Sequence, residues 1–197
     1  MIIDPKKIHP RSFYSFFTGS LSPRPIAWIT TKNDDNSINL APYSFFSGIN
    51  TRPPIIMVSI GNYSGVKKHT SQNIIRNREC VINIVDKNYL EKLNLTGKKF
   101  DKNVSELTHV NLKTKKSEKV SVPSVSGVLA SFECVLFDHH KLPSNDVFYL
   151  EVISLFVDDK FILNGQINTK LFKPLSRFMG NTYAYDYKII KTKNPNK

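Results

Sequence analysis

Two long runs rich in β-branched and aromatic residues, 128–142 and 146–159, stand almost next to each other in the second half of the chain. Four apolar residues alternate along the first run: Ala130, Phe132, Cys134 and Leu136. A repeat of two residues is typical of a strand with one face in a core. Because only a Pro-Ser-Asn turn separates the runs, they are predicted to pair as an antiparallel hairpin. They are the longest strands that the sequence predicts.

Shorter apolar runs predict the other strands: 25–31, 38–46, 53–60, 80–85 and 160–165. Pro42 lies in the second of these runs, which favours an edge strand or a bulge there. Two helices are predicted, at 67–78 and at 88–97, and Gly97 is a suitable residue to end the second one. A mainly β fold with short helical insertions follows, either a barrel or a sandwich.

The remaining segments are assigned to the ends of the chain and to one long insertion. Residues 1–21, which contain several prolines, are predicted to be an extended arm with a short turn near 11–20. Residues 98–124 are basic and polar and are expected to lie outside the core, while 171–186 close the domain. With 187–197 as a basic tail, residues 1–197 are predicted to form a single domain.

The chain is strongly basic, with a formal net charge of +12, so polyanions have to be considered as partners. The lysines cluster in predicted loops and in the tail, and they avoid the aromatic segments. A barrel that binds single-stranded nucleic acid would interleave the two kinds of residue, so nucleic acid is not the favoured partner. No stretch resembles a signal peptide or a membrane span, which predicts a cytoplasmic protein with no membrane contact.

Motifs for hydrolytic, metal or nucleotide chemistry are missing from the sequence. The five histidines are scattered, and neither HExxH nor CxxC occurs, so no metal site is predicted. No serine lies in GxSxG, and there is no GxGxxG or Walker-type loop. Cys80 and Cys134 lie in apolar runs and are predicted to be buried free thiols. No residue is therefore assigned a catalytic role.

Three stretches together describe a ligand with one anionic end and one planar end. Thr30 and Thr31 offer hydroxyls at a strand end, although they could be ordinary strand residues. The segment 63–73 leads into a helix whose start offers free N–H groups near Lys68 and Thr70, or has solvated lysines only. The segment 39–46, NLAPYSFF, combines small, polar and aromatic residues that suit a flat ring, although its aromatic residues could simply fill the core.

Taken in order, the motifs resemble the flavin reductase-like family of FMN-binding split barrels, over roughly residues 22–185. The matching sequence segments are PRPIAWITT, NLAPYSFF with PPIIMVSI, KKHTSQNI, CVINIV and PLSRFMGNTY. The third resembles the family pattern Lys-Asp-Thr-x-x-Asn-Ile, and the last resembles Arg-x-x-Gly-x-x-Tyr. The resemblance implies a split β-barrel and FMN as the cofactor.

The resemblance also implies the residues that hold the cofactor. The FMN phosphate is expected near four of them: Thr30, Thr31, Lys68 and Thr70. The isoalloxazine and ribityl groups are expected along Asn39, Ala41, Pro42, Tyr43 and Ser44, with Phe46 and Ser47 at the margin. His69 stands where the family has Asp and adds positive charge only when protonated. The family forms homodimers with flavin near the interface, so Arg177 and Tyr183 act from the partner chain or only hold the dimer.

Flavin chemistry belongs to the cofactor, which explains why no catalytic side chain stands out. The predicted function is transfer of a hydride from NADPH or NADH to FMN, followed by transfer of electrons to an acceptor. A flavoredoxin-type electron carrier and a non-catalytic FMN-binding protein remain as alternatives. A pyridoxine-phosphate oxidase-like split barrel is a weaker rival, because NLAPYSFF speaks against it, and a basic nucleic-acid-binding barrel is the least favoured.

Overall fold

One seven-stranded antiparallel sheet organises the chain, and the two long runs form its longest strands, as predicted. The computed structural model describes residues 1–101 and 104–192. Their strands are β1 Arg24–Pro25, β2 Ala27–Lys32, β3 Ile38–Tyr43, β4 Phe46–Thr51, β5 Pro54–Gly61, β6 Glu79–Ile84, β7 Thr114–Lys115, β8 Ser124–Val125, β9 Ala130–Lys141, β10 Asn145–Val157, β11 Ile162–Leu163, β12 Gln166–Ile167, β13 Ser176–Arg177 and β14 Tyr183–Ala184. Their α-helices are α1 Pro10–Ser20, α2 His69–Asn77, α3 Leu90–Leu95 and α4 Glu106–His109. Single 3-10 turns lie at Lys87–Tyr89 and Asp159–Phe161.

The large sheet has the strand order β3-β2-β6-β9-β10-β5-β4 and curls around its own core. Side chains from the edge strands, such as Tyr43 and Phe46, pack into the same apolar cluster as Cys134 and Phe148 from the central strands. Strands at opposite edges of a flat sheet could not share such a cluster, so the sheet is a partly closed barrel. This is the split β-barrel that the sequence predicted.

A second apolar cluster lies on the outer side of β2, because successive side chains of a strand point to opposite faces. Ile29 belongs to the barrel core, whereas Trp28 packs outside it against Leu93 of α3 and Leu175. The indole Nε1 of Trp28 donates to Thr96 Oγ1 at 2.8 Å in a buried setting. This contact fixes the end of α3, and the loop that follows it, against the barrel wall.

Three predicted segments differ from the structure. The expected extended arm is wrong, because residues 10–20 form α1. Pro10 begins that helix, where its missing N–H costs nothing, and His9 Nδ1 accepts from the N–H of Arg11 at 3.2 Å. The run 38–46 is not one strand, because the chain leaves β3 after Tyr43 and starts a new edge strand, β4. The run 160–165 contains only the short strand β11.

The basic segment 98–124 is less peripheral than predicted. Its described residues include a helix turn, α4, and the small hairpin of β7 and β8. Val110 and Val122 are buried, as is the carboxylate residue Glu106. The basic tail was predicted over 187–197, of which 193–197 lie outside the described residues. None of the helices in the described ranges is long and apolar enough to cross a membrane.

Candidate functional site

A cleft of about 450 Å³ opens where β3, the start of α2 and the loop after α3 meet. Its volume lies within the range of about 300–1,000 Å³ that is usual for small-molecule sites. The cleft is lined by Asn39, Ala41, Pro42, Tyr43, Tyr63, Ser64, Val66, Lys67, Lys68, His69, Thr70, Thr96, Gly97, Lys98, Lys99, Phe100 and Glu106.

A buried network of hydroxyl and amide groups joins β2, β3 and α2 beneath this cleft. Thr70 Oγ1 accepts hydrogen bonds from Asn39 Nδ2 and from Tyr43 Oη, both at 2.9 Å. Asn39 Nδ2 also donates to Thr31 Oγ1 at 3.1 Å, and Asn73 Nδ2 donates to the same oxygen at 3.0 Å. Burial raises the pKa of Tyr43, so its hydroxyl remains a donor at neutral pH. The network holds the first turn of α2 against β3.

The start of α2 presents unpaired N–H groups and positive charge to the cleft. Its N-cap residue, Lys68, makes no side-chain capping hydrogen bond, and the first turn contains no acidic residue. The Lys68 ammonium group lies 5.3 Å from the centre of the Tyr43 ring, in a cation–π arrangement. Partial loss of water in this concave setting lowers the pKa of Lys68. An anion would find both helix N–H groups and an ammonium group here.

Lys67, which precedes Lys68, forms an ion pair with a buried carboxylate. Asp146 of β10 is fully buried and binds the amine of Lys67 and also His139 Nε2, the latter at 3.0 Å. Burial alone would raise the pKa of Asp146, but the hydrogen bonds from Lys67 and His139 outweigh it and lower that pKa. Lys67 is thus held at the rim of the cleft by an ion pair with the barrel wall.

Glu106 is the only carboxylate among the described residues that line the cleft. Its Oε2 accepts the backbone N–H of Leu40, on the open side of edge strand β3, at 2.9 Å. Burial raises the pKa of Glu106, and this hydrogen bond lowers it in part. α4 therefore covers an edge backbone group that would otherwise be buried without a partner.

The structure brings together seven of the twelve residues proposed from the sequence. They are Asn39, Ala41, Pro42, Tyr43, Lys68, His69 and Thr70, all of which line the cleft. Ser44 lies in an adjoining cavity, and Thr31 lies one layer below, in the buried network.

The other three lie elsewhere. Thr30 is buried on the opposite face of β2, where its hydroxyl donates to the carbonyl of Pro123 at 2.8 Å. Phe46 packs against the barrel core, and Ser47 is exposed on β4. The predicted strand itself indicates why the two threonines separate, because adjacent strand residues point to opposite faces.

Several lining residues were missed at the sequence level. Tyr63, Ser64, Val66 and Lys67 precede α2. The sequence predicted that the segment 63–73 leads into a helix, with Lys67 already in that helix, and it assigned none of these four residues to the site. Lys98, Lys99, Phe100 and Glu106 lie in the segment that had been set aside as peripheral. For Glu106 no local signal exists, because its partner Leu40 is distant in sequence.

A second cavity, of about 580 Å³, adjoins the cleft. The two share five lining residues: Pro42, Tyr43, Lys68, Gly97 and Lys98. Its other side is formed by α1, β1 and the C-terminal β13–β14 hairpin, which contribute Thr18, Arg24, Arg177 and Tyr183. A ligand in the cleft could therefore contact a second molecule in this cavity.

Comparison with known proteins identifies the family. The family model described as "Flavin reductase like domain" matches residues 19–168, which are most of the chain. The chain belongs to this flavin reductase-like family.

Solved structures support the same assignment. Nitrilotriacetate monooxygenase component B from Bacillus cereus is 32% identical, with a TM-score of 0.94 and 98% of each chain covered. The 2-nitrobenzoate 2-nitroreductase NbaA of Pseudomonas fluorescens is 26% identical, with a TM-score of 0.90, over 99% of this chain and 96% of that one. A protein with a split barrel domain from Shewanella frigidimarina has a TM-score of 0.87 at 19% identity, over 98% of this chain and 99% of that one. At that identity the likeness is one of fold alone.

Proposed function

We propose that the protein binds FMN in the cleft and acts as a flavin reductase that uses NADPH or NADH. The observation that supports this most directly is that one cleft combines two chemically different regions, one positively charged and one suited to a flat ring. At one end lie the uncapped start of α2 and the Lys68 ammonium group, and along the side lies the β3 segment Asn39–Tyr43. A phosphorylated molecule with a planar ring matches both ends, and membership of the flavin reductase-like family points to FMN.

The residues at the phosphate end fit a phosphate monoester. Lysines 67, 68, 98 and 99 line the cleft, opposite a single carboxylate among the described lining residues. In this proposal Lys68, Thr70 and the α2 N–H groups hold the phosphate.

The β3 side fits a flat ring. β3 is an edge strand, so one row of its backbone groups has no strand partner. Ala41 leaves space for close approach, and Pro42 has no N–H that would stay unpaired. Asn39 and Thr31 act through the network that fixes Thr70, while Thr30 has no role in this proposal. Ser44 would contact the ligand only from the side of the second cavity.

When bound, FMN accepts a hydride from a reduced nicotinamide and passes the electrons on to an acceptor. The chain has to bind, orient and shield the two rings, and it needs no nucleophile for this. Lys68 supplies positive charge, and the Thr70 network keeps the helix start in place. An aromatic and aliphatic rim, formed by Tyr63, Val66 and Phe100, limits the access of water.

A second candidate activity is the direct reduction of an organic acceptor by the bound flavin. The second cavity favours it, because this cavity adjoins the cleft and is large enough for a small aromatic acid. The similarity to the nitroreductase NbaA is consistent with such an activity. A pure electron carrier would have no need of this cavity. Anaerobic bleaching by NADPH or NADH, followed by addition of nitroaromatic acids, distinguishes these roles.

We also propose that the protein is a homodimer that acts in the cytoplasm. The C-terminal part of β10 leaves apolar side chains exposed, including Ile153 and Leu155. Monomeric proteins rarely expose large contiguous apolar patches, so such a patch is typical of an interaction surface.

The double variant Lys68→Glu with Thr70→Ala tests the phosphate end. We expect its dissociation constant for FMN to rise at least about tenfold, because a charged hydrogen bond is lost and repulsion is added. Fluorescence titration of FMN measures this change. The variant Lys116→Glu with Thr51→Ala makes the same chemical changes at exposed positions outside the cleft and should bind FMN like the wild type. Equal affinity in all three proteins, with intact circular dichroism, would refute the assignment.

A further inference from the structure

Two arginines face each other across the small sheet that closes the second cavity. β1 pairs antiparallel with β13, and the register places Arg24 directly opposite Arg177. Like charges directly opposite on paired strands destabilise a sheet. Within residues 1–101 and 104–192, neither guanidinium forms an ion pair with a carboxylate. The fold therefore tolerates two adjacent positive charges beside a cavity.

Arg24 is buried and is held by neutral acceptors. Its guanidinium donates to the carbonyl oxygen of Thr18 and to that of Phe178, the latter at 3.0 Å. It also donates to Ser44 Oγ at 3.3 Å and to Ser22 Oγ at 3.2 Å. Burial is the main cause that lowers the pKa of Arg24. These contacts fix its position and leave its charge uncompensated.

The guanidinium of Arg177 uses only part of its N–H groups in hydrogen bonds to the described residues. Its Nη1 bonds to the hydroxyl of Tyr183, and its guanidinium lies 4.5 Å from the centre of the same ring. The Tyr183 hydroxyl in turn donates to Asn94 Oδ1 at 3.2 Å. Among the described residues no other hydrogen-bond partner of the Arg177 side chain is found, so its remaining N–H groups are available to a ligand.

The charged residues that line the second cavity are all positive. Arg24, Arg177, Lys68 and Lys98 contribute to it, and none of its described lining residues is acidic. The flavin cleft differs, because Glu106 lines it. Lys68 and Lys98 belong to both spaces, so an anion in the second cavity would lie beside the cleft. A planar arginine fork with free N–H groups is well suited to phosphate oxygens.

We propose that the second cavity binds the phosphate groups of the reduced nicotinamide dinucleotide, with Arg177 as their direct contact. Arg24 is a positioning residue that holds Ser44 and the β1–β13 pair in place. This inference rests on the proposed function, since it assigns a site to the second substrate of the same reaction. In the dinucleotide a ribose separates the nicotinamide ring from the phosphates. The nicotinamide can therefore lie in the flavin cleft while the phosphates lie beside Arg177 in the adjoining cavity.

Titration with ADP-ribose, which has the diphosphate but no nicotinamide, tests the site without catalysis. We expect Arg177→Gln to weaken the binding of ADP-ribose about tenfold and to leave the affinity for FMN unchanged. Arg177→Lys keeps the charge and should restore part of the affinity, and Arg52→Gln is the matched control at an exposed turn. Isothermal titration calorimetry measures both ligands. Wild-type affinity of Arg177→Gln for ADP-ribose would overturn the inference.

Kinetics with two reductants separate this inference from the proposed function. For the dinucleotide, Arg177→Gln should raise KM about tenfold with little change in kcat. For the phosphate-free dihydronicotinamide riboside, KM should stay unchanged. A loss of FMN binding in Arg177→Gln would assign the cavity to the flavin phosphate and overturn the inference. If the wild type oxidises neither reductant, the proposed function fails, and the titration alone then decides whether an anion site exists.

Discussion

At the scale of single residues, Lys68 is the group on which the proposed phosphate site depends most. It lies at the start of α2, over the Tyr43 ring, and it also lines the second cavity. Loss of water lowers the pKa of its ammonium group. The protonated form is the one that attracts a phosphate, so the position of this pKa sets the upper limit of the pH range for tight binding.

We expect the affinity for FMN to fall as the pH becomes alkaline, at a lower pH than the one at which an ordinary lysine loses its proton. The lowered pKa means that Lys68 loses its proton, and with it the phosphate contact, as the pH passes through that value. Titration of FMN fluorescence at a series of pH values measures the effect. Lys68→Arg keeps its charge throughout and should bind with little pH dependence. An identical alkaline loss in both proteins would show that another group is responsible.

At the scale of elements, hydrogen bonds of two side chains, Ser105 and Glu106, join the short helix α4 to the open edge of β3. Glu106 accepts the N–H of Leu40, a residue that is fully buried. An edge strand needs such a cover, because a buried N–H without a partner is costly. α4 lies in the segment that follows the cleft residues Lys98–Phe100, so this contact also fixes one wall of the site.

Glu106→Ala should reduce the free energy of unfolding by about 1–3 kcal/mol, because the Leu40 N–H loses its partner. Glu106→Gln retains an acceptor oxygen and should cost clearly less. Chemical denaturation measures both values. The exposed residue Glu118 provides the control, and Glu118→Ala should change the stability by less than about 0.5 kcal/mol. Equal losses for the Ala and Gln variants would mean that the hydrogen bond does not stabilise this edge.

At the scale of the whole molecule, charge and apolar surface lie in different places. The lysines that follow α3 contribute to the cleft, and Arg24 and Arg177 contribute to the second cavity. The C-terminal part of β10 exposes apolar side chains instead: Ile153 is 38% exposed and Leu155 is 53% exposed. Ile153 lies at the register shift between Val152 and Ser154, and Leu155 pairs with Phe132 beyond it. Both residues belong to one exposed apolar stretch at the end of the strand.

If β10 forms the dimer interface, Leu155→Glu should convert the protein into a monomer. A charge can be placed on an exposed side chain without disturbing the barrel core, so the variant should remain folded. Light scattering coupled to size-exclusion chromatography measures the molar mass, and Thr114→Glu at another exposed strand position is the control. A dimer that persists in Leu155→Glu would move the interface elsewhere, and a monomeric wild type would refute the homodimer.

Prediction from the sequence succeeded where a structure is set by neighbours in the chain. The β9–β10 hairpin, α2 and the edge position of β3 follow from period-two alternation, helix signals and Pro42. Asn36, in the turn between β2 and β3, has a φ of 64°, a left-handed conformation that asparagine tolerates better than most residues. α1 was missed for a local reason as well, since Pro10 starts a helix as readily as it marks an extended chain.

The sequence by itself determined the family, the longer strands of the large sheet, the helices α2 and α3, and most of the β3 and α2 residues that line the cleft, because each depends on a short pattern. Tertiary structure alone decided that Thr31 joins the site network while Thr30 faces away, and that Glu106 covers Leu40. It also decided that Arg24 lies opposite Arg177. Such pairs depend on strand register and on the closure of the barrel, which arise from the packing of the whole core and leave no mark in any local stretch of sequence.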